Sequence, residues 1–306
     1  AVSAFAWGAA SDAFVHGTQL ALADLAGDDL EPTLAGTNLL ASVGAFLGPV
    51  SVAAAEVAGV GWRPLLIGGG VAMLGYAAWI GAQPLPPPAQ SERAGAWAGA
   101  RAVAADRWVR RLAFVNALED VLDYSFLGFL TLFLVDRRGY SAAGAAATIA
   151  VTLAGAILGY VVLAWARHFP GPRSAFVGVS LARLIAIVVL LLVAHPVVIG
   201  LTVSALGVAG AVFWVSLQAA MLRARPGQTG TTYAVIATLS LPALAVPPLI
   251  GAVADHFGLV TGLALYALLP LLVMAVVLVP RLWWCSDSSP RRSSATSRVR
   301  SRRRVW

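Results

Sequence analysis

The sequence predicts an all-α polytopic membrane protein with nine transmembrane helices, and three observations predict it. Hydrophobic residues make up 59% of the 306 positions and charged residues only 11%, with a mean hydropathy of +0.81. A soluble domain carries about 25% charged residues, so this chain has too few to clothe a water-facing surface, and lipid is its main solvent. The apolar residues fall in runs of the roughly 20 residues that a spanning helix needs. Short turns rich in Gly, Pro and charge separate the runs, such as Asp136-Arg137-Arg138-Gly139 and Arg225-Pro226-Gly227-Gln228. The runs are too long for the alternating segments of about ten residues found in membrane barrels.

In chain order, the first three spans are expected at about 2–23, 34–58 and 62–82, forming a first unit over residues 1–82. Residues 83–110 then read as a linker, Gln83-Pro84-Leu85-Pro86-Pro87-Pro88 followed by an Arg-bearing stretch to Arg110. Its Ala-rich second half, from about Ala94, has the composition of an amphipathic helix lying on the membrane surface. Six more spans follow at about 111–135, 143–166, 174–194, 196–222, 230–254 and 258–281, forming a second unit over 111–284. The tail, 285–306, is polar, rich in Ser and Arg, and expected to be disordered.

All 21 basic residues are Arg, and eight of them follow Val279. With the linker placed inside, the inner face holds nine arginines outside the tail: Arg93, Arg101, Arg107, Arg110, Arg111, Arg167, Arg173, Arg223 and Arg225. The outer face holds three, Arg63, Arg137 and Arg138. The excess of inside positive charge predicts a multi-pass protein of the cell membrane with linker and carboxyl terminus cytoplasmic. The basicity suits a lipid surface rather than nucleic acid, because no folded polar domain accompanies it. Cys285 is the only cysteine, so no disulfide framework or thiolate metal site is expected. The chain starts at Ala1 inside an apolar segment, as a fragment would.

Three stripes of residues stand out for chemistry. The first is Asn116, Glu119, Asp120 and Asp123, which share an arc of roughly 100° at 3.6 residues per turn. Carboxyls on one stripe are costly against lipid and must face protein or a wet cavity. The alternative is that Glu119 and Asp120 pair with Arg110 or Arg111 near the helix end. The second stripe is Asp12, His16 and Gln19: Asp12 and His16 suit a proton relay or a hydrogen-bonded packing pair, and Gln19 is a candidate to contact a substrate. The third is Ser204, Gly207, Ala211, Trp214 and Gln218, where Trp214 and Gln218 are candidates to contact a substrate and the small residues to pack helices. Arg183 sits in the middle of its segment, either countering a buried carboxylate or, by slight preference, snorkelling to the inner surface. Gly44-x-x-x-Gly48-Pro49 is expected to let helices approach closely and to bend its segment.

Three helices, a long basic linker and six more helices resemble the major facilitator superfamily with its first three helices missing. Asn38, Gly44, Gly48-Pro49 and Gly61-Trp62-Arg63-Pro64 look like that family's fifth helix and the turn into its sixth. Arg225-Pro226-Gly227-Gln228-Thr229-Gly230 is similar to its loop between helices ten and eleven, and Gly251 to Gly258 to the end of its helix eleven. The resemblance covers Ser3 to Trp284 as family helices four to twelve. It implies a partial major facilitator fold, a three-helix remnant of the N-terminal bundle plus a six-helix C-terminal bundle. It further implies a monomeric secondary transporter that moves a small solute by alternating access, coupled to protons, with export favoured slightly over import. The stripes bearing Asp120, Asp123 and His16 would then line the central cavity.

The rival reading is an intramembrane enzyme or a helical scaffold that uses the same carboxylates. No His-Glu-x-x-His, Gly-x-x-x-x-Gly-Lys or Gly-x-Ser-x-Gly occurs, and Gly68-Gly69-Gly70 lies inside an apolar segment. Neither cofactor nor metal is expected.

Overall fold

A computed structural model describes residues 15, 17–22, 26, 29–61, 63–83, 96–166 and 171–279. The candidate pair Asp12 and His16, the Pro-rich start of the linker and the tail lie outside the described residues. Regular structure among the described residues is entirely helical. The named elements are α1 (Leu30–Val57), α2 (Arg63–Gly81), α3 (Ala96–Ala105), α4 (Arg107–Arg138), α5 (Ala142–Trp165), α6 (Pro172–Leu192) and α7 (Pro196–Arg223). They continue with α8 (Thr229–Ser240), a 3₁₀ stretch (Leu241–Ala245), α9 (Val246–Phe257), α10 (Leu259–Leu265) and α11 (Leu268–Leu278).

Local sequence sets the boundaries. Asp106 caps α4 by accepting from the Trp108 N–H at 2.8 Å, and Gly139 ends it in the left-handed conformation at φ 70°. Ser141 caps α5 through the Gly144 N–H at 3.1 Å, and prolines open α6 and α7. The expected span at 230–254 is one continuous path interrupted at Pro242 and Pro247-Pro248, because proline removes the N–H that the helix ladder needs.

Six stretches among the described residues are long and apolar enough to cross a membrane: 63–81, 142–165, 173–192, 196–223, 229–257 and 259–278. The protein is therefore a multi-pass helical membrane protein. The expected spans at 34–58 and 111–135 also form helices, α1 and α4, but α4 carries Glu119, Asp120 and Asp123 near its middle. The linker helix α3 packs on α8, with Val103 fully buried and Trp97 exposed.

The tightest contact in the bundle joins α5 to α7. A Cβ on Gly155 would collide with the Ser204 carbonyl, and one on Gly207 with the Thr152 carbonyl. At Gly159 it would lie 2.8 Å from the Ala211 Cβ. Glycines at these positions bring the two backbones together, which is how helices associate where lipid offers no hydrophobic drive. Helix α6 packs on α7, with Phe176 and Phe213 ring centroids 5.0 Å apart, and α1 lies against α5 and α7. Helix α4 packs on α8 and α10. Helix α2 buries no residue.

The core is split in two. One cluster gathers residues such as Leu34, Leu112, Phe176 and Phe213. The other gathers Leu130, Ile187, Val203 and Tyr266. Between them, part-way along the helices, lie the buried polar residues Asn116, Glu119, Thr152, Ser180, Arg183 and Ser240. At one end of the bundle Arg223 pairs with Glu31, and Arg225 with Asp106 at 3.0 Å. At the other end Arg138 donates to the carbonyls of Leu190 (3.2 Å) and Leu191 (2.8 Å), closing the last turn of α6.

Candidate functional site

The polar layer opens into a cavity of about 190 Å³ between α4, α5, α6 and α7. Each helix meets it near its own midpoint: α4 with Glu119, Asp120 and Asp123, α5 with Thr152 and Ala156, α6 with Arg183, and α7 with Gly207 and Gly210. Phe126, Tyr160 and Trp214 add aromatic walls.

Glu119 and Arg183 form a two-pronged ion pair inside the bundle, Arg183 Nη1 donating to Glu119 Oε2 and Nη2 to Oε1 at 2.7 Å. Both side chains are buried. The guanidinium also lies 4.8 Å from the centroid of the Phe213 ring. Gly210 leaves room for it, since a Cβ there would sit 3.4 Å from Nη2. Planar pairing of this kind suits Arg and carboxylate, and burial of either charge alone would be severely unfavourable. Arg183 thus counters a buried carboxylate; the expectation that it snorkels to the surface is corrected, because its partner lies on the facing helix at the same depth. For the same reason Glu119 does not pair with Arg110 or Arg111 at the helix end.

Asp120 accepts a hydrogen bond from Asn116 Nδ2 at 2.9 Å. Asn116 also reaches Ser240 Oγ at 3.2 Å, and that hydroxyl lies 3.0 Å from the carbonyls of Ala113 and Ile236. Asp120 is therefore tied through Asn116 to the end of α8. Asp123, one turn further, is exposed into the cavity. Three of the four residues of the predicted stripe share the cavity, and the fourth, Asn116, holds one of them.

The other predicted positions divide. Trp214 lines the cavity, and its Nε1 donates to Asn38 Oδ1 at 3.3 Å. Gln218 has no exposed surface, so the structure gives it an interhelical contact in place of the expected substrate contact: it accepts from Asn38 Nδ2 at 2.9 Å. Gln19 is buried and has interaction partners of its own. Gly44 is exposed, and a Cβ on it would meet nothing within 4 Å. Among the described residues no helix approaches it closely. Gly48 and Pro49 lie in α1, but their surroundings fall outside the described residues. The close approach belongs to Gly155-Ala156-Ile157-Leu158-Gly159, which has the same spacing and was legible in the sequence.

Sequence reasoning missed Asn38 as the link from α1 to both Trp214 and Gln218, and Tyr160 as a cavity wall. Only the packing of distant helices brings those residues together. Among the described residues no group of three or more His, Cys, Asp and Glu side chains is arranged to hold a metal ion. No protein-family model matches the chain, and none of the curated proteins matches it.

Proposed function

We propose that this protein is a secondary active transporter that moves a small solute across the cell membrane by alternating access, coupled to protons. The observation that carries the reading is the cavity where four helices meet at mid-length, holding one neutralised ion pair and two further carboxyls. Ionisable groups at that depth in apolar helices are costly and are retained where a polar path is needed. A binding site near the bilayer midplane is also where transporters of this kind place their solute.

In this reading Glu119 is held by Arg183 as a fixed element of the wall. Asp120 and Asp123 exchange protons and face the solute. With three carboxyls against one guanidinium among the described lining residues, and aromatic rings beside them, the cavity suits a cationic or neutral solute better than an anion. Neighbouring carboxyls shielded from water disfavour one another's charged form, and opening to water relieves this. That difference between closed and open states couples proton release to solute movement.

The arrangement of nine spans, three before the linker and six after, remains our reading of the topology, in the manner of the major facilitator superfamily. Linker and carboxyl terminus are cytoplasmic, the protein acts as a monomer, and export is favoured over import. The alternative, an intramembrane enzyme or helical scaffold that uses the same carboxylates, would need a nucleophile, a base and an oxyanion site converging on one point.

Purified protein in liposomes that entrap a pH-sensitive dye tests the proposal. A panel of small cationic, neutral and anionic solutes is added across an imposed proton gradient. At least one solute is expected to move protons. Asp123→Asn is expected to abolish gradient-driven accumulation while leaving solute exchange in place. Failure of every solute class to move, or unchanged accumulation in both Asp120→Asn and Asp123→Asn, would overturn it.

A further inference from the structure

Helix α4 begins with Arg107, Arg110 and Arg111, and a cavity of about 390 Å³ opens among them over Phe114 and Val276. A second cavity of about 420 Å³ adjoins it, sharing Arg110 and Phe114. This trough follows α4 through Ala117 to Val121, with Leu239, Pro242 and Leu269 on its far side. From Arg110 to Val121 the helix rises about 16 Å at 1.5 Å per residue. Arginine confined to one end and an apolar floor beyond it give the pair of cavities a head and a tail.

Among the described residues no acidic side chain lines either cavity. Arg107 and Arg110 are exposed and join no ion pair among the described residues. The adjacent carboxylate, Asp106, is committed to Arg225 and to the Trp108 N–H. Cations gathered at the positive end of a 32-residue helix repel its dipole. An anion among them relieves that repulsion, and arginine forks match phosphate oxygens. The apolar trough that continues from the same two residues decides which anion fits: one with a hydrocarbon chain attached.

We propose that these adjoining cavities bind one anionic phospholipid, its phosphate among Arg107, Arg110 and Arg111 and one acyl chain along the trough between α4 and the α8–α9 span. The site is independent of what the central cavity carries. Its position at the end of the bundle bearing the linker places the phosphate at the membrane interface, where anionic headgroups lie.

The test uses the whole chain, purified in detergent and stripped of lipid, with thermal unfolding and native mass spectrometry as readouts. Phosphatidylglycerol is expected to be retained as a single bound lipid and to raise Tm by about 5 °C. Phosphatidylcholine and inorganic phosphate are expected to do neither. Arg107→Gln with Arg110→Gln should remove the effect of phosphatidylglycerol while leaving the lipid-free Tm in place. Ala117→Trp, or Leu239→Trp if the first does not fold, should fill the trough and remove the effect with all three arginines intact. Equal stabilisation by phosphatidylcholine would show that the arginines select no headgroup. Full stabilisation by inorganic phosphate would show that no chain is held. Either result, or retention of the effect in the arginine or trough variants, overturns the site.

Discussion

Arg183 shows how much a single residue's role depends on what faces it. Along the sequence it is one cation in an apolar run, and its long side chain has a plausible route to the membrane surface. In the fold it is buried against Glu119 and Phe213. Removing one partner of such a pair leaves a charge buried without compensation, at a cost of about 3–5 kcal/mol, whereas removing both does not. Arg183→Met is therefore expected to lower thermal stability in detergent sharply. Arg183→Met combined with Glu119→Gln should recover most of the loss. Equal Tm values for the single and double variants would mean that the two charges are not coupled. Asp120 and Asp123 differ from Glu119 in having no cation bonded to them among the described residues, which is why the transport tests fall on them.

At the scale of elements, the helices are specified locally but their neighbours are not. Helix α5 carries two glycines on one face, and α7 meets them with Ser204, Gly207 and Ala211. Gly155→Ala and Gly207→Ala each place a methyl group against backbone that cannot yield, so each is expected to destabilise by about 1–3 kcal/mol. Gly69→Ala in α2, where nothing lies within 4 Å of the added methyl, should leave the Tm unchanged or slightly higher. Thermal unfolding of the three variants side by side distinguishes the positions. A loss at Gly69 matching that at Gly155 would show that α2 is packed against protein. The Gly-x-x-x-Gly spacing occurs in both α1 and α5, and sequence alone cannot say which copy meets a partner.

For the whole molecule, charged side chains fasten both ends of the bundle. Glu31, Asp106, Arg223 and Arg225 meet at one end, and Arg138 closes α6 at the other. The count of arginines along the sequence, which puts the linker inside, is a separate expectation. Cysteine labelling in a Cys285→Ser background checks it. A cysteine at Ser91 should be protected from impermeant reagent in sealed cells, and one at Ala143 should react. Ala143 lies at the same helix end as Ser141 but leaves the Ser141 hydroxyl free to cap α5. Reaction at position 91 and protection at 143 would reverse the orientation.

The sequence by itself determined that the chain is helical and lives in lipid, because helix length and burial in hydrocarbon depend on runs of neighbouring residues. It also determined which helix carries the carboxyl stripe, since Asn116, Glu119, Asp120 and Asp123 share a face through the helical repeat alone. Tertiary structure decided what that stripe meets: Arg183 lies 64 positions from Glu119, and Ser240 lies 124 from Asn116. It likewise decided that Gln218 faces Asn38, 180 positions away, and not the cavity. Such pairings arise from which helix faces lie against each other, and an apolar helix in lipid has many faces of nearly equal hydropathy. The choice among them rests on glycines, ion pairs and hydrogen bonds whose partners lie far apart in the chain.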